Sequence, residues 1–475
     1  MKPWLIKSFR GGQSDEDSIG IRGSYKYGHA LDIHKRRDSL TCKQAMKHGV
    51  KTSDLVKYFV QGSDGTTYAF GNGGTIYTRS GGGTWASRYN DSNGEIKGAS
   101  EWAVSDGSTY VIWATDTSVS RKQLITTNSG VDWGNASQNW KTDLTSADYH
   151  PMKKASGAMM IGNKQRLALY GFDGSWTNEA MKVEPFNIVK SIDERDDYVI
   201  LGTECDHEAE EGYIWSWITE ALNYIQKKKK PIRGVNALIT AEIPLLQGGA
   251  DGEIYVADFV NNTPLAKIPE SGQVNTDGVD VENDLAVFGF YGGTYPGIWS
   301  YGRRNKNRPS VLAYDYLLTY QALGSTVAEM GALSMAAGTL LASFTITNGS
   351  TTEYGIDEVD SATKATAVYE SLEFDAGSPH LFKYFRDAHL IMTPLPTGCS
   401  VGFKYKADKG SWITAKTPDG STSYSVAGSS EAIFVINQKA KIMEIGVTLT
   451  PSSNSTPEVL AISTYLEDEI EEYGR

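Results

Sequence analysis

The chain has 475 residues, 40% of them apolar, with 57 acidic against 45 basic side chains and a formal net charge of −12. That length allows two or three domains or one large repeat array with sizeable cores. The negative balance argues against a nucleic-acid binder, whose phosphate contacts need a basic face.

The opening MKPWLIKSFRGGQSDEDS has no apolar signal core. The longest weakly polar stretch, MGALSMAAGTLLASF (330–344), is too short and too rich in small residues to span a bilayer. Cys42, Cys205 and Cys399 are far apart and odd in number, so neither a disulfide framework nor a CxxC zinc site is expected. A soluble protein made in a reducing cytoplasm follows as the expectation.

Residues 1–55 contain a possible strand, a basic turn at His34–Asp38 and a small apolar segment. They are expected to form an arm, or an outer strand that closes a ring by protecting sheet edges. From residue 56 to 371, short runs such as YFVQGS, TYAFGN and TIYTRS alternate with Gly, Asp, Asn and Ser. That pattern predicts strands joined by tight turns. Similar groups begin near Lys57, Gly98, His150, Ile188, Val235, Val274 and Val327, steps of roughly 40–50 residues, as expected for four-stranded propeller blades. GYIWSWITEALNYIQ, from Gly212, and PGIWSYGRRNKNRP, from Pro296, repeat Ile-Trp-Ser-aromatic before a basic stretch. Trp215 and Trp299 are thus separated by two blade lengths, although WITEALNYIQ also reads as a helical turn.

Residues 372–475 change character. Longer strand candidates with polar connections interleave Phe403, Tyr405 and Ala407 with Lys404, Lys406 and Asp408. A sheet with one wet face has this period of two, and about 100 such residues suggest a β-sandwich. LEDEIEEYGR reads as a solvated acidic tail. The predicted fold is therefore all-β: a propeller of about seven blades followed by a C-terminal sandwich.

Two fragments share Thr-x-(Ser/Asn)-x-Gly-x-(Thr/Asp)-Trp. They are TIYTRSGGGTW, with Thr78, Ser80, Gly82, Thr84 and Trp85, and QLITTNSGVDW, with Thr126, Asn128, Gly130, Asp132 and Trp133. They resemble the Asp-box of sialidase-type propellers, Ser/Thr-x-Asp-x-Gly-x-Thr-Trp/Phe. The resemblance implies a turn between the two outer strands of a blade with its Trp packed in the core. Ser80 and Asn128 take the Asp position, where either can bond local backbone. A wider resemblance, carried by GSYKYGHALDIHKRRDSLTCKQAM, GIWSYGRRNKNRP and KIMEIGVTLTPSSNSTPEVLAISTYLE, is to tail proteins of tailed bacteriophages. The similar proteins are tail-hub, DNA-stabilisation and baseplate components. It implies a virion protein made in the host cytoplasm, with other tail proteins as partners in a homo-oligomeric ring or symmetric hub.

A propeller glycosidase would need an arginine cluster, a nucleophile and paired acids. The Arg-Ile-Pro phrase of that family has no counterpart, since IRGSY (Ile21–Tyr25) lacks the proline. No catalytic residue, cofactor or metal is therefore assigned. ECDHEAEE (204–211) has metal-ligand types but reads as an acidic loop. Lys227, Lys228, Lys229 and Lys230, with Arg303, Arg304, Lys306 and Arg308, follow the same repeat unit. They form a candidate docking patch of basic turns on one face, suited to an acidic partner. The expected work is non-enzymatic assembly in a phage tail or tail-attachment region. The alternatives are a receptor- or glycan-binding tail module and, behind it, a propeller glycosidase.

Overall fold

Apolar runs of five or six residues, cut by turn residues, give strands almost throughout. The sole helix among the described residues is one turn, Thr319–Ala322. The computed structural model describes residues 2–14, 23–35, 38–92, 94–117, 120–126, 130–131, 139–141, 143–206, 211–322 and 324–468. Two units are present. One comprises Met1–Met46, Trp299–Leu317 and Val359–Arg475; the other comprises Lys47–Ile298 and Leu318–Glu358.

The second unit is the propeller. Blade 1 runs in the order Val56–Gln61, Thr66–Gly71, Thr75–Ser80, Ala86–Asn90; blade 3 is Met152–Ala155, Ala158–Asn163, Arg166–Gly171, Trp176–Lys182. Blade 2 starts at Ile96, blade 4 at Asn187 and blade 5 at Val235, each with the same antiparallel succession. The sixth set begins with Val279–Glu282 and Leu285–Phe290; the strands that follow in the chain, Gly297–Gly302 and Val311–Tyr316, lie largely in the first unit. Blade 7 is Thr326–Ala336, Thr339–Asn348, Thr351–Lys364 and, outermost, Gln44–Thr52. These starts fall within five residues of those read from the sequence. The stretch 330–344 is the hairpin of this last blade. The seven first strands pack on one another in cyclic succession, the seventh on the first, so the ring is closed.

Second strands lie between neighbouring blades and are buried on both faces. Ala158–Asn163 and Leu285–Phe290 are buried at every position, which is why they read as continuous apolar runs rather than alternating ones. Cores form at the seams: Phe70, Ile76 and Trp113 join blades 1 and 2, and Met160, Leu201 and Trp215 join blades 3 and 4.

The first unit is the sandwich. One sheet orders Lys2–Ile6, Glu458–Asp468, Lys383–Met392 and Glu431–Ala440, and Leu40–Thr41 also pairs with Glu458–Asp468. The other contains Val311–Tyr316, Ser24–His29, Ala367–Ser371, Met443–Thr450 and Ser400–Ala407. Phe403 and Tyr405 are buried, whereas Lys404 and Lys406 pair with Glu370 and Glu444, as the period of two predicts.

The expected boundaries at 55/56 and 371/372 require correction. Residues 1–46 belong mainly to the sandwich, because Phe9, Tyr25, Leu31, Ile33, Leu40 and Cys42 enter its core. Among the described residues of this segment, Gln44–Thr52 is the strand that joins the propeller, as the outermost strand of blade 7. The acidic tail begins later than expected, since Leu466 is buried and pairs with Lys2 and Phe385. WITEALNYIQ forms a strand end, a loop and the start of the next strand, with no helix.

Candidate functional site

First strands line the propeller axis, and their polar residues meet there. Tyr58, Lys153, Ser191, Asp277 and Asp280 line an inner cavity of about 140 Å³. Tyr58, Thr276 and Asp277 also line a wider chamber of about 330 Å³, with Lys57, Asn72, Glu95, Lys97, Asp148, Tyr149 and Asn275. The strand ladder explains part of this arrangement. A register shift recurs at the start of the first strand, between Val56 and Tyr58, Ile96 and Gly98, and Val189 and Ser191. The skipped residues are Lys57, Lys97 and Lys190. A bulge of this kind re-aims a side chain. Lys57 pairs with Glu329, Lys97 with Glu95 at 2.7 Å and Lys190 with Glu204 at 2.6 Å. Lys190 also lies 4.9 Å from the Tyr149 ring centre.

Deeper in, Lys153 Nζ is 3.2 Å from Asp193, whose other oxygen accepts the Thr240 hydroxyl at 2.6 Å. Asp277 accepts the Phe59 amide at 3.2 Å, and Asp280 accepts those of Met335 and Val281 at 2.6 and 2.7 Å. Burial pushes the Asp277 carboxyl up to about 7, against the opposing pull of the Phe59 amide and Lys153. Burial raises Asp280 too. Burial alone would lower Lys153, but Asp193, Asp277 and Asp280 outweigh it and hold the ammonium above its ordinary range. Tyr58 is raised by burial and then by Asp277. The cluster therefore sets the Lys153 ammonium against the three carboxyl groups of Asp193, Asp277 and Asp280, with that of Asp277 raised to about 7. No group of three His, Cys, Asp or Glu side chains suited to a metal ion occurs among the described residues.

Sequence reasoning missed this cluster. Its signal was the run VNTDGVDVENDLAVF, where Asp277 and Asp280 interrupt an apolar strand pattern. The true turn signature was also different. Asp64, Asp106 and Asp173 each accept the amide two residues on, at 2.9, 2.8 and 3.0 Å. The glycine after each, Gly65, Gly107 or Gly174, has φ between +79° and +87°, a backbone that glycine adopts without strain.

The Asp-box-like fragment contains the turn between the third and fourth strands of blade 1. The Ser80 carbonyl accepts the Gly83 amide at 2.8 Å, and Gly82 has φ +79°. Thr78 is buried in the strand and accepts a bond from Arg88, while Thr84 is exposed. Trp85 is only half-buried, under the Arg79 guanidinium and against Phe59. Of the second copy, Asn128, Asp132 and Trp133 lie outside the described residues, and Thr126 pairs with Gly130 across two strands. Trp85→Ala should accordingly cost about 1–2 kcal/mol, against about 3–5 for Trp113→Ala. Trp113 is fully buried and donates to Asp91 at 2.8 Å. Thermal melts showing the reverse order would contradict this assignment.

Lys227–Lys230 do not form a turn. They belong to the outer strand Gln226–Lys230 of blade 4, whose alternation turns the lysines to opposite sides. Lys227 pairs with Glu184 beside the rings of Tyr213 and Trp215, and Lys229 pairs with Glu211. Lys230 is fully buried and donates to the Asn261 carbonyl at 2.6 Å. Lys228 is half-buried. Three of the four lysines are therefore engaged within the chain and do not form a free basic patch. Arg303, Arg304, Lys306 and Arg308 do lie in a loop, in the other unit. Arg303 donates to the Lys306 carbonyl at 2.9 Å, Arg308 lies 3.7 Å from Asp38, and Arg304 and Lys306 are exposed. Trp215 and Trp299 are fully buried in the third strands of blade 4 and the sixth set. In 204–211, Glu204 and Glu211 serve as partners of Lys190 and Lys229, and 207–210 lie outside the described residues.

No helix among the described residues is long and apolar enough to cross a membrane. No protein-family model matches the sequence, and no curated protein matches it. Among solved structures, the Dos1 propeller is similar over 75% of this chain and 94% of its own, at 11% identity and a TM-score of 0.43. The extracellular domain of the putative one component system BT4673 from B. thetaiotaomicron is similar over 79% of this chain, at 13% identity and a TM-score of 0.45. The match spans 45% of that second protein's length.

Proposed function

We propose that this chain is a non-enzymatic structural component of a tailed-bacteriophage virion, in the tail or tail-attachment region. It works through protein–protein contacts in a symmetric assembly. The observation that supports this reading is that a side-chain bond spans every seam of the closed ring. Ser63 donates to Glu101 between blades 1 and 2, Lys154 to Glu101 between 2 and 3, and Ser156 to Glu194 between 3 and 4. Thr240 donates to Asp193, Val274 to Gln247 and Met335 to Asp280 at the next three seams, and Ser343 to the Val56 carbonyl at the last. Asp193 and Asp280 of the axis, with Glu101 and Glu194, are thus used as staples between blades. A framework held in this way keeps its shape while its loops meet neighbours, which suits a particle component. The class itself comes from the sequence resemblances.

Quantitative mass spectrometry of purified particles tests the reading. The chain should appear in fixed ratio to the other tail proteins, and a nonsense mutation in its gene should yield particles with defective tails. Absence of the chain from particles would overturn the virion role. Sustained sugar release from host envelope polysaccharide by the purified chain would overturn the non-enzymatic one.

A further inference from the structure

One end of the propeller is built from the turns between first and second strands and those between third and fourth strands, and backbone and side-chain bonds tie these turns together across blades 1 to 5. Ser63 donates to Glu101, Ser105 to the Phe172 carbonyl, Ser156 to Glu194, and Thr240 to the Glu194 carbonyl. Large apolar side chains are exposed along this rim, among them Phe172 at 57%, Tyr198 at 45% and Ile243 at 38%. Asp106, Asp173, Asp196, Asp197 and Glu242 are exposed among them. The basic residues on these turns, Lys154 and Arg195, lie against Glu101 and Asp196. The rim is therefore apolar at intervals and strongly negative, the composition of a contact surface for a cation-bearing protein.

The loop 303–308 supplies the complementary chemistry. Arg303 folds back onto its own loop's carbonyls, so Arg304 and Lys306 are presented from a fixed turn. A guanidinium bonds carboxylates in pairs and stacks on aromatic faces, and the rim offers both. We propose that the rim formed by the turns of blades 1 to 5 docks the Arg304–Lys306 loop of a second copy of this chain. This deepens the symmetric-assembly reading and rests on it for its biological setting, but the contact itself requires only the purified protein.

Sedimentation of the full chain at graded salt, with charge-swapped variants, tests the contact. Arg304→Glu with Lys306→Glu should weaken self-association at least about tenfold, and Asp197→Lys with Glu242→Lys should do the same. All four side chains are exposed, so the circular dichroism spectrum should keep its β-sheet form. Mixing the two variants should restore association, because each supplies the charge that the other lacks. Carbodiimide cross-linking of a mixture of isotopically light and heavy copies should join Lys306 of one to a rim carboxylate of the other. A chain that stays monomeric, swapped variants that associate like the wild type, a mixture that fails to associate, or cross-links only within one copy would each overturn the proposal. Absence of the chain from virions would count against the virion reading and leave this contact standing.

Discussion

A fragment made of residues 372–475 alone should remain unfolded. The sequence suggested a self-sufficient sandwich there, but the strand order removes that possibility. Glu458–Asp468 sits between Lys2–Ile6 and Lys383–Met392, and Met443–Thr450 pairs with Ala367–Ser371, which in turn pairs with Ser24–His29. Cutting at 371 exposes backbone edges in both sheets. It also removes Phe9, Tyr25, Leu31, Ile33, Leu40, Cys42 and Tyr369 from one core. Each large apolar side chain lost from such a site costs about 2–5 kcal/mol, and a domain's whole stability is about 5–15 kcal/mol. Limited proteolysis of the fragment should leave no resistant core, and its amide proton shifts should show little dispersion. The full chain should instead resist cleavage at 371/372. Adding residues 1–46 and 299–317 in trans should increase the fragment's order. A well-dispersed spectrum from 372–475 alone would refute the interleaved architecture.

The propeller was legible because its signals are local. A strand run, an Asp-Gly turn and the next run fit within one blade, and the period repeats seven times. Blade starts could therefore be read within a few residues, and Trp215 and Trp299 were read correctly as equivalent positions. The sandwich boundary was not legible, because strand partners some 400 residues apart, such as Lys2 and Leu466, leave no local mark. The basic patch failed for a different reason. KKKK reads as a charged turn by composition, whereas in the outer strand the Lys227 ammonium sits over the rings of Tyr213 and Trp215 and Lys227 and Lys229 meet Glu184 and Glu211. The axial cluster was invisible as a cluster, because Lys153, Asp193, Asp277 and Asp280 come from three blades. Each alone looks like a polar residue in a half-buried strand.

Asp277→Asn should stabilise the protein at pH 8 and leave it nearly unchanged at pH 4. In the unfolded chain this carboxyl titrates near its ordinary value of 3.8, whereas in the folded axis burial raises it to about 7. Folding therefore favours the protonated form. Below the unfolded value both states hold the proton, and the group contributes no penalty. Between about pH 4 and 7 the unfolded state releases its proton first, so stability falls as pH rises, and above 7 the penalty is complete. A shift of this size corresponds to about 4 kcal/mol at most, reduced toward about 2 by water in the cavity. Asparagine keeps an oxygen for the Phe59 amide and carries no charge, so it should remove the slope and retain the staple. Lys153 keeps Asp193 as its near partner, so loss of the Asp277 charge should not undo its pairing. Urea unfolding of wild type and variant at several pH values measures the difference directly. The two stability curves should meet near pH 4 and separate above pH 6, with the variant higher. Parallel curves, or a variant less stable at pH 8, would mean that folding does not raise the Asp277 carboxyl and that its attraction to Lys153 outweighs its burial.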